Sequence, residues 1–143
     1  MHIVSVLRLP ASLEGLAAVY PWLDHAAATC VAADRLPGMQ VVLEEAVANI
    51  VLHGFPDRAP GAVEIQLCAD DDAVLLVIED DGMVFDPTAA PLRPVAANLA
   101  EAVPGGRGLT LIRRFCPSVV YARQDGRNLL TLRFPRDRPD RTA

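Results

Sequence analysis

The sequence predicts a single α/β domain, because helical and strand-like hydrophobic patterns alternate along a short chain. Residues 41–51 repeat apolar side chains at helical spacing, residues 63–67 alternate apolar and polar side chains, and residues 74–78 are continuously apolar. These patterns are typical of an amphipathic helix, a half-exposed strand and a central, covered strand. The 143 residues are enough for one core. We assign the domain to residues 1–134 and expect residues 135–143 to be a disordered tail.

The first part of the chain predicts one strand and two helical segments. Residues 3–9 alternate enough to form a strand. A helix capped by Ser12 then extends to about residue 30, and Pro21 within it implies a kink or two shorter helices. Residues 36–38 read Leu-Pro-Gly and predict a break, after which a second helix covers residues 39–53.

The second half predicts a loop-rich connection followed by the closing elements. Residues 86–107 contain several prolines and alanines, and we interpret them as a flexible lid with a short helix near residues 95–102. A helix is predicted at residues 109–115. It is followed by two strands, at residues 118–122 and 129–134, which are joined by a turn at residues 125–126.

Composition and charge exclude several classes of protein. Apolar residues make up 52% of the chain, which favours a packed globule. The formal net charge of −5 argues against a nucleic-acid surface, although backbone N–H groups and a metal ion can still bind nucleotide phosphates. The three cysteines are far apart, which indicates small buried thiols in a reducing cytoplasm. We find neither a signal peptide nor an apolar run of about 20 residues, and expect a cytoplasmic protein without a membrane segment.

Glu45 and Asn49 are the first candidate site residues. They are separated by one helical turn within residues 39–53 and therefore share one helix face. A carboxylate can polarise a hydroxyl or a water, and a carboxamide oxygen can hold a hard cation. The alternative is a solvated polar stripe on an amphipathic helix, which this segment considered alone favours.

Asp80-Asp81-Gly82 directly follows the buried strand and forms the second candidate segment. Acidic residues at the end of such a strand lie where ligands often meet a sheet. The Asp80 carboxylate can accept a hydrogen bond from an exocyclic amine such as that of adenine, and Gly82 lets the backbone approach a flat ring. A simple turn is the alternative for this segment.

The third segment, Gly105-Gly106-Arg107-Gly108-Leu109, opens the helix predicted at residues 109–115. Glycines at a helix start expose unpaired N–H groups at the positive end of the helix dipole, which suits phosphate. A helix cap or a hinge explains the segment equally well. The segment is not a P-loop, because no Gly-Lys-Ser/Thr follows it. The order of the three segments nevertheless suggests an ATP site.

Together the three segments resemble the ATPase superfamily of gyrase, Hsp90, histidine kinases and MutL. The matching motifs are Glu45-x-x-x-Asn49-x-x-x-His53, Asp80-x-Gly82-x-x-Phe85-Asp86-Pro87 and Gly105-Gly106-Arg107-Gly108-Leu109. Over roughly residues 5–134 the chain is most similar to the bacterial anti-sigma factor serine/threonine kinases. This resemblance implies a two-layer α/β sandwich of the Bergerat type, with a mixed, mostly antiparallel sheet on one side and helices on the other.

The resemblance also implies ATP and Mg²⁺ as cofactors and assigns a role to each matched residue. Asn49 would coordinate Mg²⁺ at the phosphates, and Glu45 would accept the proton from a serine or threonine hydroxyl on a partner protein. Asp80 would bind the adenine amino group, and Gly82 would line the base pocket. The phosphate pocket would be lined by Gly105, Gly106, Arg107, Gly108 and Leu109.

Two positions depart from the family pattern. Val84 stands where the family usually has a glycine, and we expect it to narrow the base pocket or to stiffen the loop. The last strand usually opens with Gly-Thr, in which the threonine touches the nucleotide, whereas this chain reads Gly126-Arg127-Asn128. Either Asn128 replaces the threonine in touching the nucleotide, or the last strand does not touch the nucleotide at all.

Three functions compete at this point. The first is an ATP-dependent serine/threonine kinase that binds a sigma factor and phosphorylates an anti-anti-sigma (STAS-type) protein, which the retained Glu45 favours. The second is a non-catalytic, nucleotide-gated switch that sequesters a regulatory partner, which Val84 and the missing threonine favour. The third is a clamp-type ATPase in which Glu45 activates water, although the chain leaves no room for the transducer domain such proteins carry. A homodimer is expected by analogy, through residues 3–9 or the helix that contains Tyr20 and Trp22.

Overall fold

A five-stranded sheet carries the helices on one face. The computed structural model describes residues 1–55, 61–89 and 108–136, and for residues 108 and 109 only the backbone. The strand order is β1-β2-β3-β5-β4, and each pair of neighbouring strands is antiparallel. The predicted α/β class is confirmed. The strands are His2–Pro10 (β1), Ala62–Ala69 (β2), Ala73–Asp80 (β3), Ser118–Gln124 (β4) and Arg127–Pro135 (β5).

The described helices are Val19–Ala26 (α1), Leu36–Gly54 (α2) and Gly108–Phe115 (α3), with short 3₁₀ turns at Glu14–Ala18 and Pro87–Ala89. The first predicted helix is therefore two shorter pieces. The predicted lid helix near residues 95–102 and the tail after residue 136 lie outside the described residues.

The break predicted at residues 36–38 is wrong, because these residues form the first turn of α2. Pro37 is compatible with this position, since a first-turn residue has no intrahelical partner for its N–H. The next residue is Gly38, and a Cβ atom on it would lie 3.0 Å from the Phe115 ring. The start of α2 therefore packs closely against the end of α3.

The hydrophobic core lies between the sheet and the helices. The alternating side chains of β2 and β3, among them Ile65, Leu76 and Ile78, are fully buried against Leu43 and Val47 of α2. As predicted, β3 occupies the centre of the sheet. Its last residue, Asp80, lies at the rim of the core and is buried.

The β4–β5 hairpin sets the register at this rim. Its turn residues Asp125 and Gly126 have φ values of 52° and 76°, as a tight two-residue hairpin turn requires. Across the strand pairs, Asn128 is opposite both Asp80 on β3 and Arg123 on β4.

The three cysteines are free thiols, with Cys68 and Cys116 buried and Cys30 half-buried. None of the described helices is both long and apolar enough to cross a membrane.

Candidate functional site

Glu45 and Asn49 are buried within α2, with only 7% and 2% of their surface exposed. This excludes the solvated polar stripe that the segment alone favours. The Asn49 Nδ2 atom is buried and has no hydrogen-bond partner among the described residues. An unpartnered buried polar group destabilises the folded state by about 1–3 kcal/mol. A buried amide donor of this kind can donate a hydrogen bond to a bound ligand.

Asp80 at the end of β3 is also buried, and its two carboxylate oxygens differ in their surroundings. Its Oδ1 atom accepts hydrogen bonds from the Gly82 N–H and from Asn128 Nδ2, both at 2.9 Å. Its Oδ2 atom is buried and has no partner among the described residues. One oxygen is thus fixed by the protein, while the other is free to accept a hydrogen bond from a ligand. Burial raises the pKa of this carboxyl, and the two hydrogen bonds oppose that effect.

Gly82 lies where the loop after β3 meets the end of α2. A Cβ atom at this position would lie 2.5 Å from the carbonyl oxygen of Gly54 and 2.9 Å from the Phe55 ring. The next residue, Met83, donates its N–H to that same carbonyl at 2.8 Å. The close approach of these two segments therefore requires glycine at position 82.

This close approach leads to the first prediction. We expect Gly82→Ala to lower the free energy of unfolding by about 1–3 kcal/mol, because the added methyl group forces the loop away from α2. Gly54→Ala is the matched control, since a Cβ atom there meets its nearest neighbour at 3.7 Å, an ordinary contact. Urea denaturation of the two variants checks this, and equal stability of both would contradict the tight packing at Gly82.

His53 connects the first motif to the second. Its ring stacks on Phe85 with the ring centroids 4.7 Å apart and the planes inclined by 22°. His53 lies one turn beyond Asn49 on the same helix face. The last turn of α2 therefore packs against the loop that contains the Asp80-x-Gly82 motif.

The glycine-rich segment is described only from Gly108, the first residue of α3. Gly105, Gly106 and Arg107 lie outside the described residues, as does the side chain of Leu109. The helix α3 packs along α2, and its last residue, Phe115, contacts α2 at its third residue.

Val84 is 67% exposed. Among the described residues only Asp125 combines a positive φ with a side chain. Valine at position 84 is therefore compatible with the local backbone, in a place where the family usually has glycine.

The amide of Asn128 makes hydrogen bonds through both of its polar atoms. Nδ2 donates to Asp80 Oδ1 and, at 2.8 Å, to the Met83 carbonyl. Oδ1 accepts from the Tyr121 hydroxyl and, at 3.0 Å, from Arg123 Nη1. Tyr121 and Arg123 were not among the predicted site residues. The turn at residues 125–126 is the signal that could have found Arg123, because it pairs that residue with Asn128.

Comparison with known proteins identifies the family to which the chain belongs. A family model described as the histidine kinase-like ATPase domain matches residues 9–134. The fold and this match put the chain in the class of histidine kinase-like ATPases. The chain belongs to the histidine kinase-like ATPase domain family.

Individual relatives refine this class. The chain is 40% identical to the serine/threonine-protein kinase BtrW of Bordetella bronchiseptica over 112 residues, which are 78% of this chain and 79% of that protein. It is 28% identical to the anti-sigma F factor of Bacillus subtilis over 86 residues, which are 60% of this chain and 59% of the relative. These matches confirm the predicted resemblance to anti-sigma factor kinases and the predicted enzyme class of protein serine/threonine kinases.

A solved structure supports the fold. The crystal structure of the RsbU and RsbW domains of Rv1364c from Mycobacterium tuberculosis aligns with a TM-score of 0.60 at 18% identity. The alignment covers 94% of this chain and 34% of that one. At this identity the similarity concerns the fold alone.

Proposed function

We propose that the chain is an ATP-dependent serine/threonine kinase that acts as an anti-sigma regulatory factor. It transfers the γ-phosphate of ATP to a hydroxyl of an anti-anti-sigma protein, and it also binds a sigma factor. The observation that carries this proposal is the pair of unpartnered buried atoms, Asp80 Oδ2 and Asn49 Nδ2, at two motif positions. Family membership and the BtrW and anti-sigma F relatives support the same activity.

A third buried atom without a partner, Gln40 Oε1, lies outside this proposal. The Gln40 side chain belongs to the first half of α2, and its Nε2 atom donates to Asp24 and to the Tyr20 carbonyl. It thus connects α2 to α1. The unpartnered atoms of Asp80 and Asn49 belong instead to β3 and to the second half of α2. The end of α2 and the loop after β3 are in contact through the stacking of His53 on Phe85 and the hydrogen bond from Met83 to Gly54.

Asp80 and Gly82 form the proposed base pocket. The free Oδ2 atom of Asp80 accepts a hydrogen bond from the adenine amino group, and Gly82 allows the loop beside Asp80 to pack closely against the end of α2. The proposed phosphate pocket uses the backbone N–H groups of residues 105–109, at the start of α3.

The residues around Asn49 are compatible with Mg²⁺ held together with the nucleotide. Among the described residues no cluster of three or more His, Cys, Asp or Glu side chains could hold a metal ion. Mg²⁺ is commonly held by one or two protein oxygens together with substrate phosphates and waters, and Asn49 can supply such an oxygen. When bound, the ion neutralises charge on the phosphates. Asn49 then holds the triphosphate in place beside Glu45.

Glu45 is the proposed general base. Its carboxylate accepts the proton of the attacking serine or threonine hydroxyl while that oxygen bonds to the γ-phosphorus. The bond from the γ-phosphorus to the bridging oxygen breaks, and ADP leaves with the electron pair. The contribution of the protein is mainly positioning and charge stabilisation, as in other phosphoryl transfers.

The proposed partners lie on other chains, and the proposed compartment is the cytoplasm. A homodimer through β1 is supported by the exposed apolar side chains Ile3 and Val6 on this edge strand, which are 57% and 41% exposed. The alternative contact is the helix that contains Tyr20 and Trp22, on which Tyr20 is 39% exposed.

Transfer of labelled phosphate tests the proposal directly. Purified chain is incubated with γ-labelled ATP, Mg²⁺ and a candidate anti-anti-sigma protein, and label on a serine or threonine of that protein is the expected result. Absence of ATP binding at millimolar nucleotide would overturn the kinase assignment. ATP binding without transfer to any candidate would instead favour a nucleotide-gated switch. The absence of the family's threonine favours the same alternative.

Asn49 provides a second prediction. We expect Asn49→Ala to weaken ATP binding in the presence of Mg²⁺ by more than about tenfold, because the variant lacks the amide oxygen that holds the ion. The expected loss is much smaller when EDTA replaces Mg²⁺, since the base pocket is intact. Titration calorimetry under both conditions measures the two affinities, and an equal loss in both would remove Asn49 from metal binding.

A further inference from the structure

The surroundings of Asn128 allow only one orientation of its amide. A guanidinium group can only donate hydrogen bonds, so the Arg123 contact at 3.0 Å requires the Asn128 oxygen on that side. The Tyr121 hydroxyl donates to the same oxygen, and so does the Phe85 N–H at 3.4 Å. The NH₂ group must then face Asp80 and the carbonyl of Met83, and it donates to both.

Arg123 also secures the loop that carries the base pocket. Its Nη1 atom donates to the Gly82 carbonyl at 2.8 Å, in addition to its bond to Asn128. Two side chains of the edge strand β4 therefore hold both the amide next to Asp80 and the backbone of the loop after β3. Tyr121 is half-buried and packs against the hydrophobic core, whereas Arg123 is exposed.

This orientation determines what the Asp80 carboxylate can recognise. Because Oδ1 is committed to two N–H donors, the carboxylate presents Oδ2 as a pure acceptor. An acceptor attracts an amino group at the six-position of a purine and repels a carbonyl oxygen there. The side-chain network behind Asp80 therefore bears on which purine the site selects.

We propose that Tyr121 and Arg123 are positioning residues that set the selectivity for adenine over 6-keto purines by holding the amide of Asn128. This inference rests on the proposed function, because it assumes that Asp80 reads the base of a bound nucleotide. Neither residue has to touch the nucleotide. Their effect is exerted through Asn128 on the carboxylate.

The protonation of Asp80 provides the physical link. Burial raises the pKa of Asp80, while hydrogen bonds from Asn128 and Gly82 lower it. When the amide is free to turn or move away, the carboxylate loses one of these two donors and its protonated form becomes more favourable. A protonated carboxyl can donate a hydrogen bond to the carbonyl of a 6-keto purine, which removes the basis of discrimination.

Tyr121→Phe and Arg123→Met test the inference, singly and together. The probes are ATP and inosine triphosphate, which differ at the six-position of the base, and calorimetry with Mg²⁺ gives both affinities. We expect each single variant to bind ATP about fivefold more weakly and the double variant to lose about tenfold of its preference for ATP. Tyr121→Phe removes one oxygen atom and keeps the ring, so its thermal unfolding midpoint should remain close to that of the parent chain.

Tyr20→Phe and Arg133→Met are the matched controls, since they delete the same groups away from the site, and both should retain the parent preference. Equal weakening of ATP and inosine triphosphate would identify a merely structural role and overturn the inference, as would an unchanged preference in both single variants. These outcomes leave the proposed function standing, because ATP still binds. A parent chain that binds no ATP would overturn the proposed function and this inference with it.

Discussion

Glu45→Gln is expected to reduce phosphate transfer by about 10²–10⁴-fold, the usual effect of losing a general base, while ATP binding remains. The amide keeps the size of the carboxylate but cannot accept the proton of the attacking hydroxyl. Because only 7% of the Glu45 surface is exposed, solvent has little access to replace it as the base. Single-turnover transfer from γ-labelled ATP measures the chemical step, and calorimetry measures binding.

Glu44→Gln is the matched control for this prediction. Glu44 is the preceding residue of α2, lies about 100° around the helix and is only partly buried. The same chemical change at Glu44 should leave transfer intact. Undiminished transfer in Glu45→Gln would remove Glu45 from the reaction, and a parallel loss of ATP binding would assign it to positioning of the nucleotide instead.

Asp80→Asn is expected to weaken ATP binding by about 100-fold or more, because a site built to bind a donor then presents an NH₂ group to the adenine amine. The neighbouring carboxylate Asp81 is exposed, and Asp81→Asn is the matched control that should bind ATP normally. Comparable affinity of the two variants would show that Asp80 does not read the base.

The same substitution should stabilise the chain in the absence of nucleotide. Burial raises the pKa of Asp80 above its ordinary value of 3.8, so the folded state binds this proton more tightly than the unfolded state. The contribution of Asp80 to stability is therefore greatest at acidic pH and is lost as the pH rises through the folded pKa. At neutral pH Asp80→Asn should unfold at a higher temperature than the parent chain.

The pH dependence of this difference distinguishes charge from packing. The gap in unfolding free energy between Asp80→Asn and the parent should shrink as the pH falls toward the ordinary value of 3.8. Thermal unfolding of both proteins between neutral and acidic pH measures it. A gap that is independent of pH would show that the ionised carboxylate is not the source of the instability. A stabilising loss of a ligand-binding group is the usual trade-off at a functional site.

The regular elements were predictable because their signals are local. Alternation over residues 63–67 and the apolar run over residues 74–78 identify β2 and β3, although both strands extend further. The start of α2 was predicted three residues too late. A proline considered alone predicts a break in a helix, whereas Pro37 lies in the first turn of α2, where proline is tolerated.

The candidate site residues were proposed from the sequence, but their environment in the fold was not predictable from it. Helical spacing puts Glu45 and Asn49 on one face, yet it cannot show that this face is covered, since burial depends on elements distant in sequence. The partners of Asn128 required the pairing of β5 with both β3 and β4. No local pattern reports that two strands far apart along the chain place Asn128 beside Asp80.

The hairpin turn at Asp125 and Gly126 places an evolutionary constraint on the length of a surface loop. Loop tips usually tolerate insertions well, but one extra residue here that slipped β5 against its neighbours would turn every side chain of the slipped strand to the opposite face. Asn128 would then point away from Asp80. We expect homologues that keep this asparagine to keep a two-residue tip as well, so that length variation is confined to other loops of the domain.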